Sequence, residues 1–81
     1  MKTMSLRTLS ANQSASIVSV QAGGELGRRI REMGLIPGVT VTLSGRAPLQ
    51  DPVAVTAMGF VLTLRNSEAD CIFVKPMEQQ Q

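Results

Sequence analysis

The chain has no histidine, tryptophan or tyrosine and only one cysteine, and each shortage removes a class of chemistry. Without histidine, the commonest general base and the commonest metal ligand are both missing. The single Cys71 excludes an intramolecular disulfide and suits a reducing compartment. Phe60 and Phe73 are the only aromatic residues, so the core must be built from Val, Leu, Ile and Met. The same scarcity argues against nucleic-acid binding through stacked bases. Long apolar runs are absent too. The longest, Cys71-Ile72-Phe73-Val74, falls far short of the ~20 residues of a membrane span. Met1-Lys2-Thr3 could open a signal peptide, but Ser5, Arg7, Thr8, Ser10, Asn12 and Gln13 interrupt any apolar segment behind it. The expectation is a cytoplasmic chain without direct membrane insertion.

What is present supports one small domain. The 81 residues include 43% hydrophobic positions, enough for a packed core. Net charge is only +2, too little to imply nucleic acid or a lipid surface. Residues 1–76 are expected to form the domain, and 77–81 a disordered tail. No catalytic constellation stands out. The Ser and Thr hydroxyls lack a His or an obvious Lys base. Gly23-Gly24 lacks the lysine of a phosphate-binding loop, and no strand–GxGxxG–helix unit occurs. The expectation is a protein that is not an enzyme.

The hydrophobic pattern predicts mostly strand with one helix. Ala15 to Val20 reads as a strand, broken by Gly23-Gly24. Leu26, Ile30 and Met33 stand at i, i+4 and i+7, predicting a helix over Glu25–Met33 with one narrow apolar stripe. Gly34 follows as a left-handed cap, with Leu35 packing back on Ile30, and Pro37-Gly38 has the order of a type II turn. Beyond it the period becomes 2: Val39, Val41 and Leu43, then Val53, Val55 and Ala57, then Phe60, Leu62 and Leu64 face inward. Val61 and Phe73 fall out of that phase and would cover a second small core or form an exposed apolar patch. Ser67 and Asp70 have capping-box spacing over a short turn, and Cys71–Lys75 is the last strand, stopped by Pro76. Five short strands and a docked helix make a small curled sheet or barrel.

From Arg29 onward the punctuation resembles the FeoA family, the ferrous iron transport protein A. The run Arg29-Ile30-Arg31-Glu32-Met33-Gly34-Leu35-Ile36-Pro37-Gly38 carries the resemblance. So do Ala47-Pro48-Leu49-Gln50-Asp51-Pro52, Leu62-Thr63-Leu64-Arg65, Glu68-Ala69 and Ile72-Phe73-Val74, and the resemblance covers nearly the whole chain, from Leu6 to Val74. Two positions depart from the pattern: Asn12 and Gln50 stand where the family usually has Gly. The resemblance implies a bacterial, mainly β, SH3-like five-stranded barrel with one short docked α-helix. It further implies a role in ferrous iron uptake beside FeoB, a membrane permease with an N-terminal GTPase domain. That partner would bring the protein to the inner membrane peripherally.

Candidate contact residues follow from charge and rigidity. Arg28 and Arg29 each have acids one helical turn away, at Glu25 and Glu32, whereas Arg31 has none and is the least neutralised charge. Pro48 and Pro52 would hold Leu49 outward at low entropic cost, and Ile36 precedes a turn that displays it. Arg31, Leu35, Ile36, Pro48 and Leu49 are therefore the expected partner-binding residues. Glu68, Asp70 and Cys71 are the only clustered metal-type ligands. Lacking a fourth donor, they would hold a borderline metal such as zinc only weakly, or between two molecules. No resident cofactor is expected, and self-association stays open. The alternatives are a free-standing SH3-like regulatory module, like that attached to metal-dependent repressors, and a small-barrel nucleic-acid binder. The absence of a DNA-binding helix pair and of stacking aromatics weighs against each.

Overall fold

A computed structural model describes residues 3–46 and 52–77. Six strands form one antiparallel sheet around the core. In chain order they are β1 (Met4–Ser5), β2 (Ser14–Val20), β3 (Thr40–Arg46), β4 (Val53–Ala57), β5 (Phe60–Leu64) and β6 (Ile72–Pro76). Helix α1 (Gly24–Glu32) connects β2 to β3, and a single turn, α2 (Asn66–Ala69), connects β5 to β6. The spatial order is β1-β6-β2-β3-β4-β5, which leaves β1 and β5 at the ends. The sequence pattern gives five of these strands. The sixth, β1, is two residues long and too short to show a period, and the 3-10 turn Leu6–Thr8 behind it is equally silent.

Alternation is the reason these segments are strands. Val53, Val55 and Ala57 are buried while Ala54 and Thr56 between them are half-buried. Two breaks in register adjust the pattern. Ile17 pairs with Val74 and Ser19 with Phe73, so Val18 is an extra residue on β2 and turns outward. Ser44 is a similar extra residue on β3, between the pairs Leu43–Val55 and Gly45–Ala54. The buried core joins Leu6 and Leu9 to Ile17, Ile30, Leu35, Val41, Leu43, Val55, Leu64, Ile72 and Val74.

Helix α1 ends as its residues demand. Gly34 has φ of 92°, the Gly34 N–H donates to Arg31 O at 2.9 Å, and the Leu35 N–H donates to Ile30 O at 3.3 Å. That is a Schellman cap, and it folds Leu35 fully into the core. The following turn is type II: Gly38 has φ of 97° and the Val39 N–H donates to Ile36 O at 3.2 Å. Asn12 has φ of 67°, within the left-handed region that asparagine tolerates. Of the helix stripe only Ile30 is wholly buried; Leu26 and Met33 are partly buried against the core, as is Leu62.

Two expectations need correction here. Phe60 shares the inward face with Leu62 and Leu64 but is 69% exposed. It sits at the tip of the end strand, where the core no longer reaches. The cap of α2 is Arg65 with Glu68, not Ser67 with Asp70: the Arg65 N–H donates to Glu68 Oε1 at 2.9 Å.

Candidate interaction surface

The C-terminal end of α1 and the tip of the β4–β5 hairpin come together. Met58 and Gly59 have φ of 54° and 83°, the two positive values of a type I′ turn, whose twist suits a two-residue hairpin. The turn lays the Met58 side chain against Gly34, so close that a Cβ on Gly34 would lie 2.8 Å from Met58 Cε. Beside this contact Ile36 is 45% exposed and Met58 54% exposed. Phe60 and Val61, the next residues along the hairpin, are the most exposed large apolar side chains of the described residues. Arg31 is exposed at the end of α1, and no acid lies within ion-pair distance of it among the described residues.

Of the five residues expected to bind a partner, the structure exposes Arg31 and Ile36; Ile36 lies two residues beyond the Gly34–Met58 contact, whereas the Arg31 guanidinium lies back along the helix, near Gly27. Leu35 is corrected: its side chain is wholly buried by the cap that packs it on Ile30, so it supports the turn instead of presenting a surface. Pro48 and Leu49, like Gln50, lie outside the described residues. Met58 and Phe60 were not singled out from sequence, although Met58-Gly59 between two alternating runs is a hairpin signal.

A second feature is a cleft of about 410 Å³ at the far end of β5, lined by Arg29, Pro52, Thr63, Arg65 and Glu68. Glu68 is 2% exposed. Its Oε1 takes the Arg65 N–H, and its Oε2 lies 3.2 Å from Arg29 Nη2 in an ion pair. Arg29 was expected to be neutralised within its own helix; it reaches across to α2 instead, and Glu25 pairs with Arg28.

Each of the three candidate metal ligands has another contact. Glu68 is committed to Arg29 and to a helix cap, and Asp70 lies 3.2 Å from Arg7. The Cys71 thiol donates to the Ser67 carbonyl at 3.4 Å. Among the described residues no three Cys, Asp or Glu side chains converge as a metal site. Glu68, Asp70 and Cys71 are therefore close in sequence but turned to separate partners within this chain.

A small curled antiparallel sheet with one docked helix and an exposed apolar tip defines a class: an SH3-like domain. The FeoA domain model matches residues 4–76, and the chain belongs to the FeoA family. It is 39% identical over 72 residues to an Fe(2+) transport protein A/Fe(2+) transporter FeoB fusion protein of Porphyromonas gingivalis, covering 89% of this chain and 8% of that relative's length. A FeoA-like protein of Clostridium acetobutylicum has the same fold, with a TM-score of 0.91 and 27% identity over 100% of this chain and 94% of that one. FeoA of Stenotrophomonas maltophilia, described as a prokaryotic SH3 domain protein and solved with zinc, matches with a TM-score of 0.78 and 33% identity over 89% of each chain. A manganese-dependent transcriptional repressor contains the same fold, with a TM-score of 0.87 over 95% of this chain and 38% of that chain; at 14% identity the likeness shows the fold alone. No helix among the described residues is long and apolar enough to cross a membrane.

Proposed function

We propose that this chain is a non-catalytic cytoplasmic module that supports ferrous iron uptake by binding a FeoB-type permease, at its cytosolic GTPase domain, and modulating it. The observation that carries this reading is the P. gingivalis relative, in which a segment resembling this chain is covalently joined to an iron transporter. A tether of that kind raises the effective concentration of two parts that act on each other. The chain itself brings a rigid surface and no catalytic constellation. Ile36 and Met58 supply exposed apolar anchors past the helix end that carries Arg31, and an apolar anchor with an arginine on the same surface suits a binding hot spot. The Pro48-Leu49 segment belongs to the same proposed contact on the sequence argument alone. The module needs no resident cofactor; iron is the cargo of the permease.

The test is capture of the cytosolic part of a FeoB-type permease from the same cell by the immobilised chain. Saturable capture, weakened by Arg31→Glu and by Met58→Ala in variants that stay folded, is the expected result. Absence of capture at micromolar concentrations, with GTPase activity unchanged on mixing, would overturn it.

A further inference from the structure

Strand β5 ends the sheet, and among the described residues no strand pairs with its outer edge. Such an edge is normally blunted by charge, proline, a bulge or brevity. The five residues Phe60-Val61-Leu62-Thr63-Leu64 have none of these devices, and their register to β4 runs without a break. The other end of the sheet, β1, is only two residues long.

The hairpin geometry settles which backbone groups are free. Ala57 and Phe60 flank a two-residue turn, so they form a hydrogen-bonded pair. The pairs Val55–Leu62 and Val53–Leu64 repeat that pattern, which leaves Val61 and Thr63 in the intervening pairs. The N–H and C=O of Val61 and Thr63 therefore point away from β4. Both residues are exposed.

This free edge runs between two chemically different ends. At one end stand the exposed Phe60 and Val61. At the other is the cleft where Arg29 and Arg65 outnumber the single carboxylate, Glu68. Arg65 has no acidic partner among the described residues. Glu68 Oε2 is buried and accepts no aligned hydrogen bond there. Glu68 is taken up by Arg29, so among the described residues the cleft offers one unneutralised guanidinium, that of Arg65. From Phe60 to Arg65 an extended chain covers about 17 Å.

We propose that the outer edge of β5 takes an extended peptide segment of a partner protein as a seventh strand, apolar toward Phe60 and bearing an acidic residue that enters the cleft at Arg65. The segment's main chain pairs with Val61 and Thr63, which gives affinity with little demand on sequence. The acidic residue supplies direction and selectivity through a charge-assisted contact with Arg65. The inference goes beyond the transporter reading and does not rest on it, because any protein segment of this chemistry would serve.

The test uses the full chain alone with a capped pentapeptide, Val-Thr-Val-Thr-Asp, and its Asn-ended analogue as probes. Titration of the labelled protein is expected to shift the amides of Val61, Thr63 and Arg65 and to slow hydrogen exchange at Val61 and Thr63. The Asn analogue and the Arg65→Glu variant should each bind at least about tenfold more weakly. Thr63→Pro removes only an outward N–H, so it should keep the fold while also weakening binding at least about tenfold. Equal binding of the two peptides, or no effect of Thr63→Pro in a folded protein, overturns the proposal. A dimer that forms on concentration and is abolished by Thr63→Pro overturns it as well, assigning the edge to a second copy of this chain. The permease experiment is separate, so failure here leaves the transporter reading untouched.

Discussion

Arg29 Nη2 on α1 lies 3.2 Å from the buried Glu68 Oε2 on α2, so the one long helix is fastened to the segment that follows β5. The partners are unequal. Arg29 is more than half exposed and Glu68 almost wholly enclosed. Losing the cation leaves an enclosed carboxylate uncompensated, whereas losing the carboxylate frees an arginine that water can solvate. Arg29→Ala should destabilise by about 1–2 kcal/mol, below the range for fully buried pairs because the guanidinium is solvated. In a Glu68→Gln background the same change should cost less than about 0.5 kcal/mol. Denaturant unfolding of the four-member mutant cycle checks this; equal costs in both backgrounds would mean the pair is not coupled.

Gly27 has an ordinary role in sequence terms and a demanding one in space. A Cβ there would lie 2.0 Å from the Ala22 carbonyl oxygen, a backbone atom that cannot swing aside. Gly27→Ala should therefore cost more than about 3 kcal/mol, above the usual range for overpacking. A thermal midpoint within two or three degrees of the parent would refute the close approach.

Gly34 presents a milder case. Its positive φ disfavours a side chain by about 1 kcal/mol, and Met58 Cε stands where Cβ would go. Because a methionine end can move, Gly34→Ala should cost about 1–2 kcal/mol, and Met58→Ala should relieve part of that in the double variant. Additive losses would show that the two side chains do not meet.

Along β5 the cost of truncation should fall from one end to the other. Leu64 is buried, so Leu64→Ala should cost about 2–5 kcal/mol; half-buried Leu62 should cost less. Phe60→Ala should change stability by less than about 0.5 kcal/mol, as at an ordinary surface site. Chemical denaturation of the three variants tests the order, and a severe loss at Phe60 would return it to the core.

For the proposed permease contact, charge and apolar anchor should separate kinetically. Arg31→Glu should slow association with the cytosolic domain in a salt-dependent manner, and Ile36→Ala should mainly speed dissociation. Surface-immobilised binding at two salt concentrations reads both; an Arg31 effect independent of salt would exclude electrostatic steering.

The parts of this fold that were legible in the sequence are those set by local rules. The cap at Gly34, the turn at Pro37-Gly38 and the alternation of β3 and β4 each follow from residues a few positions apart. The family was legible for the same reason, as an ordered set of such signals. What stayed hidden depends on distant segments. Alternation put Phe60 inward without showing where the core ends. Helical spacing matched Arg29 to its own helix, but Glu68 was folded against it from 39 positions away in the chain, the difference between 68 and 29. Leu35 drew two incompatible expectations, a packed cap residue and a contact residue, and the cap geometry allowed only the first. The extra residues Val18 and Ser44 leave no mark in a hydrophobic pattern.

The pairing of Met4 with Val74 has an architectural consequence. The way into the domain and the way out of it lie side by side on neighbouring strands, β1 and β6. Sequence joined ahead of Met4 or behind Pro76 therefore departs from the same corner of the sheet. A domain with adjoining entry and exit can be appended to a larger protein from either side, or spliced into one of its loops, without rethreading the sheet. It can also be cut open at the exposed Met58-Gly59 turn and closed through a short linker between the old ends, giving a permuted chain with the same core.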